Sequence, residues 1–262
     1  MEQSELFRTE IEQIFNKEKH LSFSALKAFL ESPKHFYRYK TEKKTTEAMK
    51  EGSQFHMAVL EPVKFMEKYF VLDDSQKIAE IGGNNPRATN KYKEWKQEQL
   101  NQNSNKELIS KEDYDLYLKM GEYLKENSAT SNLMNGLIAK EKKFEFEYNG
   151  FIIDGKIDGE GEDYLLDLKK VADASFKKVK WVVYDMFYHM QGAIYSHAVC
   201  KNNYYLIFID ASINVTVVKI SQETLQIGWI AFESALAEFQ RCIEEDAFNS
   251  SYEFYNNGFI VI

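Results

Sequence analysis

The sequence predicts an α/β chain, more narrowly α+β, with a mixed central β-sheet flanked by helices and a helical N-terminal region. Three observations carry this reading. The periodicity of apolar residues gives helices first, then three strands, a helix, two strands and a long closing helix, an order suited to a helix-covered mixed sheet. The stretch from Ile152 to Val171 reads as a β-hairpin about a two-residue turn at Glu162-Asp163. The segment Thr224 to Glu245 places Leu225, Trp229, Phe232, Leu236, Phe239 and Ile243 on one apolar stripe, which is core or a partner surface.

At 262 residues the chain has room for one large domain or two small ones. No break in its pattern is long enough to force a boundary. We therefore expect one domain over 1–262, with a mainly helical part at 1–140 and a functional core at 141–250. The hydrophobic share is 44% and the aromatic share 15%, ample for a packed core. A net charge of −8 argues against coating of nucleic acid by the whole surface, but not against a local basic groove. Cys200 and Cys242, the only cysteines, cannot supply a four-thiolate cluster and suggest no disulfide scaffold. The start MEQSELFRTEIEQ is no secretory signal, and no apolar run approaches the ~20 residues of a membrane span. A cytoplasmic protein with no membrane partner is expected.

Taken in order, residues 5–17 read as a short helix with Leu6, Ile11 and Phe15 on one side. Ser22 or Ser24 can cap a helix to about Glu31, and Ser32-Pro33 starts another. In that second segment Lys34, His35, Phe36, Tyr37, Arg38, Tyr39 and Lys40 interleave cations and rings. Such a run can hold phosphates and stack bases, or simply turn its rings inward and its charges outward. Thr45 to Leu60 reads as a helix stopped by Pro62. It carries His56, which is either a packed or surface side chain or a metal ligand. Phe65 to Leu72 reads as a short packing segment, and Asp73 to Asn90 as the least regular part. Arg87, Lys91, Lys93 and Lys96 gather charge around Trp95. Asn101 to Asn105 is a loop, and Ser110 with Asp113 forms a capping box for a helix through about Lys125. Beyond the hairpin, Asp173-Ala174-Ser175 offers caps, and Trp181 to Cys200 reads as one helix. Gln191 and Tyr195 are four residues apart on it and so share a face. Strands follow at Tyr204 to Ile209 and Val215 to Ile220, and the terminal FIVI could add an edge strand.

The hairpin is where chemistry concentrates. Folding it about Glu162-Asp163 sets Asp158 opposite Asp167, with Lys169 on the same face as Asp167. Ile153, Ile157, Leu166 and Leu168 then share the other, core-facing side. Opposed carboxylates with Cβ atoms ~5 Å apart destabilise a sheet. At an effective dielectric near ~20 the repulsion is about 3 kcal/mol. A bound divalent cation would reverse its sign. The alternative is a solvated mixed-charge face, since Lys156 falls opposite Lys169. The hairpin alone leaves both readings open.

Four short motifs occur in a fixed order: Gly52 to His56 (G-x-x-x-H), Gly155 to Asp158 (G-x-I-D), Leu166 to Lys169 (L-D-L-K) and Gln191 to Tyr195 (Q-x-x-x-Y). Together they resemble the PD-(D/E)XK nucleases. More narrowly, LSFSALKAFLESPKHF, EGSQFHMAVLEP and DLKKVADAS resemble the RecE (exonuclease VIII) type of phage and prophage exonucleases, over about residues 20–240. The resemblance implies a PD-(D/E)XK core and a metal-dependent 5′→3′ exonuclease of double-stranded DNA that leaves 3′ overhangs and serves homologous recombination. It implies Asp158, Asp167 and the backbone carbonyl of Leu168 as ligands of one or two magnesium or manganese ions. His56 would be a further ligand, and Glu141 is a looser acidic match. Lys169 would orient or activate water, and Gln191 and Tyr195 would support the site and the DNA backbone. The implied partners are duplex ends, further copies in a trimeric or tetrameric ring, and a single-strand annealing recombinase. Lys34, Arg38, Arg87, Lys91, Lys177, Lys178 and Lys180 are candidates to line the ring. Lys170 and Val171 depart from the small hydroxyl residues of many relatives. Other implied possibilities are a structure-specific endonuclease or RecB-like nuclease of the same fold, and a non-catalytic DNA-binding protein.

Overall fold

A computed structural model describes residues 20–42 and 45–256. The expected helix at 5–17 and the expected terminal strand FIVI lie outside them. The elements run β1 (His20–Ser22), α1 (Phe23–Glu31), α2 (Pro33–Thr41), α3 (Glu47–Leu60), α4 (Pro62–Lys68), β2 (Tyr69–Val71) and α5 (Ser75–Ile81). A 3-10 turn at Pro86–Ala88 leads to α6 (Asn90–Gln102), β3 (Glu107–Ile109), α7 (Lys111–Glu126) and α8 (Ser131–Asn135). Then come β4 (Ala139–Tyr148), β5 (Phe151–Glu160), β6 (Tyr164–Lys170), α9 (Phe176–Asp185), α10 (Tyr188–Val199), β7 (Asn203–Ile209), β8 (Val215–Ile220), α11 (Gln222–Glu244) and α12 (Glu253–Asn256). The contacts form two units, one being Ala48–Asn132 and the other the described chain on either side of it.

The larger unit is a mixed six-stranded sheet with helices packed on it. β4 runs antiparallel to the whole of β5, from Ala139↔Glu160 to Tyr148↔Phe151. A strand has two edges, so the other edge of β5 is shared. β1 pairs there in parallel at Ile152 to Asp154, and β6 pairs antiparallel only at Gly159 and Glu160. β6 continues in parallel with β7, and α9 and α10 provide the long crossover such a pair requires. β7 and β8 form an antiparallel hairpin.

The hairpin has the expected register, because Glu160↔Leu165 and Gly159↔Leu166 bring Asp158 opposite Asp167. The amide of Gly161 closes the turn onto the Tyr164 carbonyl at 2.9 Å. Ile153, Ile157, Leu166 and Leu168 are all buried. Ile153 and Ile157 share one apolar cluster with Leu165, Leu206, Phe208 and Phe232, and Leu166 and Leu168 lie outside that cluster, so the four do not line a single core as the hairpin alone suggests. Core formation by such residues is driven by ~25 cal/mol per Å² of apolar surface removed from water.

The helices begin where side chains can satisfy their free amides. Ser22 caps α1, accepting from Ala25 N at 3.3 Å, and Ser32 caps α2, accepting from His35 N at 3.2 Å. In α2, Phe36 is buried and Lys34, Arg38 and Tyr39 are exposed, so this is a helix with mixed outer faces. Ser221 caps α11 by accepting from Thr224 N. Its apolar stripe ends on buried Cys242 rather than Ile243, which is 36% exposed. α10 and α11 touch closely at Gly228, where a Cβ atom would lie 2.2 Å from the His189 carbonyl oxygen.

Three expectations are corrected in this unit. A short strand, β1, precedes the first cap, and its three residues are too few to show alternation. Trp181 to Cys200 is two helices, not one. Phe187 takes the left-handed conformation (φ 56°), which ends α9 and re-aims α10, and no Gly or Pro marks the break. The rings in α2 divide between core and surface.

The smaller unit is mainly helical, with β2 parallel to β3. Ser110 caps α7, accepting from Asp113 N at 3.0 Å and donating to the Asp113 carboxylate, as its capping box predicts. Asp73 to Asn90 is more regular than its composition suggests. Asp73 accepts from Ser75 N to start α5. Asp74 takes a two-point hydrogen bond from Arg87 and another from the Tyr92 hydroxyl, which fixes the Gly82-Gly83 turn between them. Phe65 to Leu72 is divided between α4 and β2. The basic run around Trp95 is the helix α6, capped by Thr89. No helix among the described residues is long and apolar enough to cross a membrane.

Candidate metal centre

Three neighbouring strands put three acids in one row. Asp158 on β5 faces Asp167 on β6 through the hairpin register. On the other side, Lys140↔Gly159 and Lys142↔Ile157 leave Glu141 of β4 opposite Asp158. Carboxylate oxygens of Glu141 and Asp158 lie within 4.8 Å of each other. Asp158 and Asp167 are 5% and 2% exposed, so the charges are clustered inside the fold rather than spread over a solvated face.

Local backbone features create this arrangement. Glu141 sits at φ 53° inside a strand, a conformation that costs a non-glycine residue on the order of 1–3 kcal/mol. β5 and β6 part after two residue pairs, and the amide of Leu168 on the exposed edge donates to Asp158 Oδ2 at 2.8 Å. That bond pins Asp158 in the split between the strands. Gly155 leaves room for the rings of Phe144 and Tyr195, which would stand 2.6 and 3.2 Å from a Cβ atom there. The glycine of G-x-I-D is thereby explained by close packing.

The helix α10 completes the surroundings of Asp167. Gln191, buried, donates from Nε2 to Asp167 Oδ1 at 3.0 Å. Lys169 makes an ion pair with Asp167 Oδ2, and its ammonium lies 4.6 Å from the Tyr188 ring centroid. Burial pulls the Lys169 pKa down, but Asp167, Tyr188 and Asp158 together raise it above the ordinary lysine value. Burial, reinforced by Asp167, raises the Tyr195 phenol, which stays a neutral hydroxyl at physiological pH. Tyr195 packs edge-on against Phe144 at 5.0 Å.

The donor set fits a hard divalent cation. All three acids offer oxygen, the ligand type magnesium and manganese take. Glu141 Oε2 is paired with Lys156, but Glu141 Oε1 is buried with no hydrogen-bond partner among the described residues. A cation would satisfy that oxygen and offset the repulsion along the row.

The structure therefore brings Glu141, Asp158, Asp167, Lys169, Gln191 and Tyr195 together in the larger unit. His56 lies on α3 in the smaller one and is half-buried. Lys34, Arg38, Lys177, Lys178 and Lys180 are exposed on α2 and α9. Arg87 and Lys91 belong to the smaller unit and are held by Asp74 and Glu80 at 2.7 Å each. Tyr188 was missing from the sequence reading. Its position three residues before Gln191 is a usable signal, since i, i+3 and i+7 place Tyr188, Gln191 and Tyr195 on one helix face.

Comparison with known proteins bears on the fold and the family. The crystal structure of a "Putative exonuclease" from Eubacterium rectale superimposes with a TM-score of 0.61 at 14% identity, covering 95% of this chain and 91% of that one. At that identity the likeness is one of fold. A second solved structure, of SSO0001, gives a TM-score of 0.29 at 17% identity over 55% of this chain and 67% of that one, too low to carry an argument. No curated protein matches. The profile of the PDDEXK-like domain of unknown function (DUF3799) matches residues 22–252, and the chain belongs to that family within the PD-(D/E)XK nuclease superfamily.

Proposed function

We propose that this protein is a divalent-metal-dependent exonuclease of linear double-stranded DNA. The observation that carries the reading is the row Glu141, Asp158 and Asp167 across β4, β5 and β6, with the Lys169 ammonium held against its last member. Asp158, Asp167 and Glu141 are the residues to hold magnesium or manganese, with the Leu168 carbonyl as a backbone ligand. His56 is a further ligand on the strength of its motif. When bound, the cation supplies Lewis-acid stabilisation of a phosphodiester oxygen and lowers the pKa of water.

The chain's own groups have separate tasks. Gln191 fixes the rotamer of Asp167 by a hydrogen bond. Lys169 is charged, so it serves as a fixed cation and donor beside the reacting phosphate rather than as a proton acceptor. The Tyr195 phenol is a neutral donor on the same helix face. Lys34, Arg38, Lys177, Lys178 and Lys180 supply phosphate contacts, and Arg87 and Lys91 can do so only by sharing their present carboxylate partners. The finer reading follows the RecE-type resemblance. It comprises 5′→3′ polarity, 3′ overhangs, a ring of three or four copies around the duplex, and a single-strand annealing partner in recombination.

The test compares substrates. Covalently closed circular duplex and the same DNA linearised are incubated with magnesium, and linear molecules labelled at either 5′ or 3′ ends report polarity. The proposal expects loss of linear DNA only, with early release of the 5′ label. Nicking or cleavage of the closed circle identifies an endonuclease and overturns it.

A further inference from the structure

The outward face of α9 combines rings and cations in a way the metal centre does not use. Phe176, Trp181 and Tyr184 are 74%, 62% and 47% exposed. At ~100° per residue, Phe176, Lys177, Lys180, Trp181 and Tyr184 fall within an arc of about 140°, while Val179 and Val183 face the core. Lys180 Nζ stands 5.9 Å from the Trp181 ring centroid. Lys177 and Lys178 are also exposed, and none of the three lysines is in an ion pair among the described residues. Asp185, at the last position, is the helix's one acid. In a chain of net charge −8, this ten-residue helix carries three lysines.

We propose that this face is a stacking platform for an unpaired DNA strand. Single exposed apolar residues need no explanation, but three rings interleaved with unpaired ammonium groups do. An apolar protein partner would cover the rings at the cost of desolvating the lysines. Duplex DNA offers its phosphates to the lysines but keeps its base faces stacked inside. Unpaired nucleotides present both ring faces and phosphates, which is the complement of this surface. α9 follows β6, the strand that carries Asp167 and Lys169, after only five residues. The inference rests on the nuclease reading for its purpose, since the bound strand would be the one left unpaired at a digested end.

The test is done with metal chelated, so that binding is separated from hydrolysis. Anisotropy of dye-labelled oligothymidylate and of a blunt duplex is measured with wild type, Trp181→Ala, Phe176→Ala, Trp181→Phe and Lys177→Ala. Trp181→Ala and Phe176→Ala should each weaken oligothymidylate binding about tenfold, with duplex affinity changed much less. Trp181→Phe should restore most of the loss. Lys177→Ala should instead reduce the slope of log affinity against log salt by about 0.7. Unchanged oligothymidylate affinity in both ring variants overturns the proposal, as does an equal loss on blunt duplex. If sedimentation shows that the ring variants change only the oligomeric state, the face is a contact between copies and the proposal also falls. Failure of the hydrolysis assay leaves the binding result standing, so the two readings fail separately.

Discussion

Replacing Glu141 by Gln should make the metal-free protein more stable and the metal-loaded protein less responsive. Glu141 and Asp158 have carboxylate oxygens within 4.8 Å, and at an effective dielectric near ~20 two unit charges at that distance repel by about 3 kcal/mol. The substitution removes that repulsion and keeps the side chain's size. It also weakens the Glu141–Lys156 pair, but Lys156 is half exposed and such pairs contribute ~0–1 kcal/mol. The left-handed backbone at residue 141 is retained in both proteins. The net gain in chelator is then about 2 kcal/mol, or a melting temperature higher by ~4–8 °C for a unit of this size. Saturating magnesium at about 100 times its dissociation constant should stabilise wild type by ~2.7 kcal/mol. The variant, short of one ligand, should gain less than half of that. Thermal unfolding followed by circular dichroism, in chelator and in excess magnesium, reads both quantities. A Glu141→Gln protein that melts lower in chelator, with an undiminished response to magnesium, would refute the reasoning.

Other consequences follow from single contacts. Gln191→Leu removes a hydrogen bond to a buried carboxylate, a contact of ~1.5–3 kcal/mol, and should lower metal-dependent turnover by about tenfold to a hundredfold with the protein still folded; unchanged turnover would show that Asp167 needs no such support. Lys169→Met should reduce turnover far more than magnesium affinity, measured by titration calorimetry; an equal loss in both would make the lysine a device for metal binding. Gly228→Ala forces a Cβ atom to 2.2 Å from a main-chain oxygen and should lower stability by about 1–3 kcal/mol or more in urea unfolding, whereas a neutral result would mean the α10–α11 contact yields easily. Asp74 has its pKa pulled down to about 2, chiefly by Arg87 and then Tyr92. A depressed carboxyl stabilises the fold above its unfolded pKa near ~4, and that contribution is lost as pH falls through about 2. Melting temperatures of wild type and Asp74→Asn should therefore differ at neutral pH, draw together between pH ~4 and ~2, and converge only below about pH 2; a constant gap would refute the assignment.

How much could be read in advance depended on how local each signal was. The hairpin register was legible because a short turn fixes which residues face each other, so Asp158 and Asp167 followed from counting alone. Ser110-Asp113 and Ser32-Pro33 announced helix starts by chemistry confined to four residues. Gln191 and Tyr195 were placed on a shared face by helical spacing, although their tie to Asp167 depends on how α10 packs against the sheet. The split between β5 and β6, with the Leu168 amide turned to Asp158, depends on β1 claiming part of the same edge, a contact across more than 100 residues. The break at Phe187 was invisible because a left-handed phenylalanine is imposed by packing, not by residue type. Asp73 to Asn90 misled by composition, since two glycines and a proline hid a short helix and a 3-10 turn tied together by Asp74 and Arg87.

The central claim is that the acids facing each other across β4, β5 and β6 hold the cation that phosphodiester hydrolysis requires. The most direct measurement is release of nucleotides from end-labelled linear duplex by wild type and Asp158→Asn, each shown to be folded, across a magnesium titration. The account predicts metal-dependent release by wild type, none in chelator, and none by the variant at any magnesium concentration. Release by wild type in excess chelator, or undiminished release by Asp158→Asn, would contradict it.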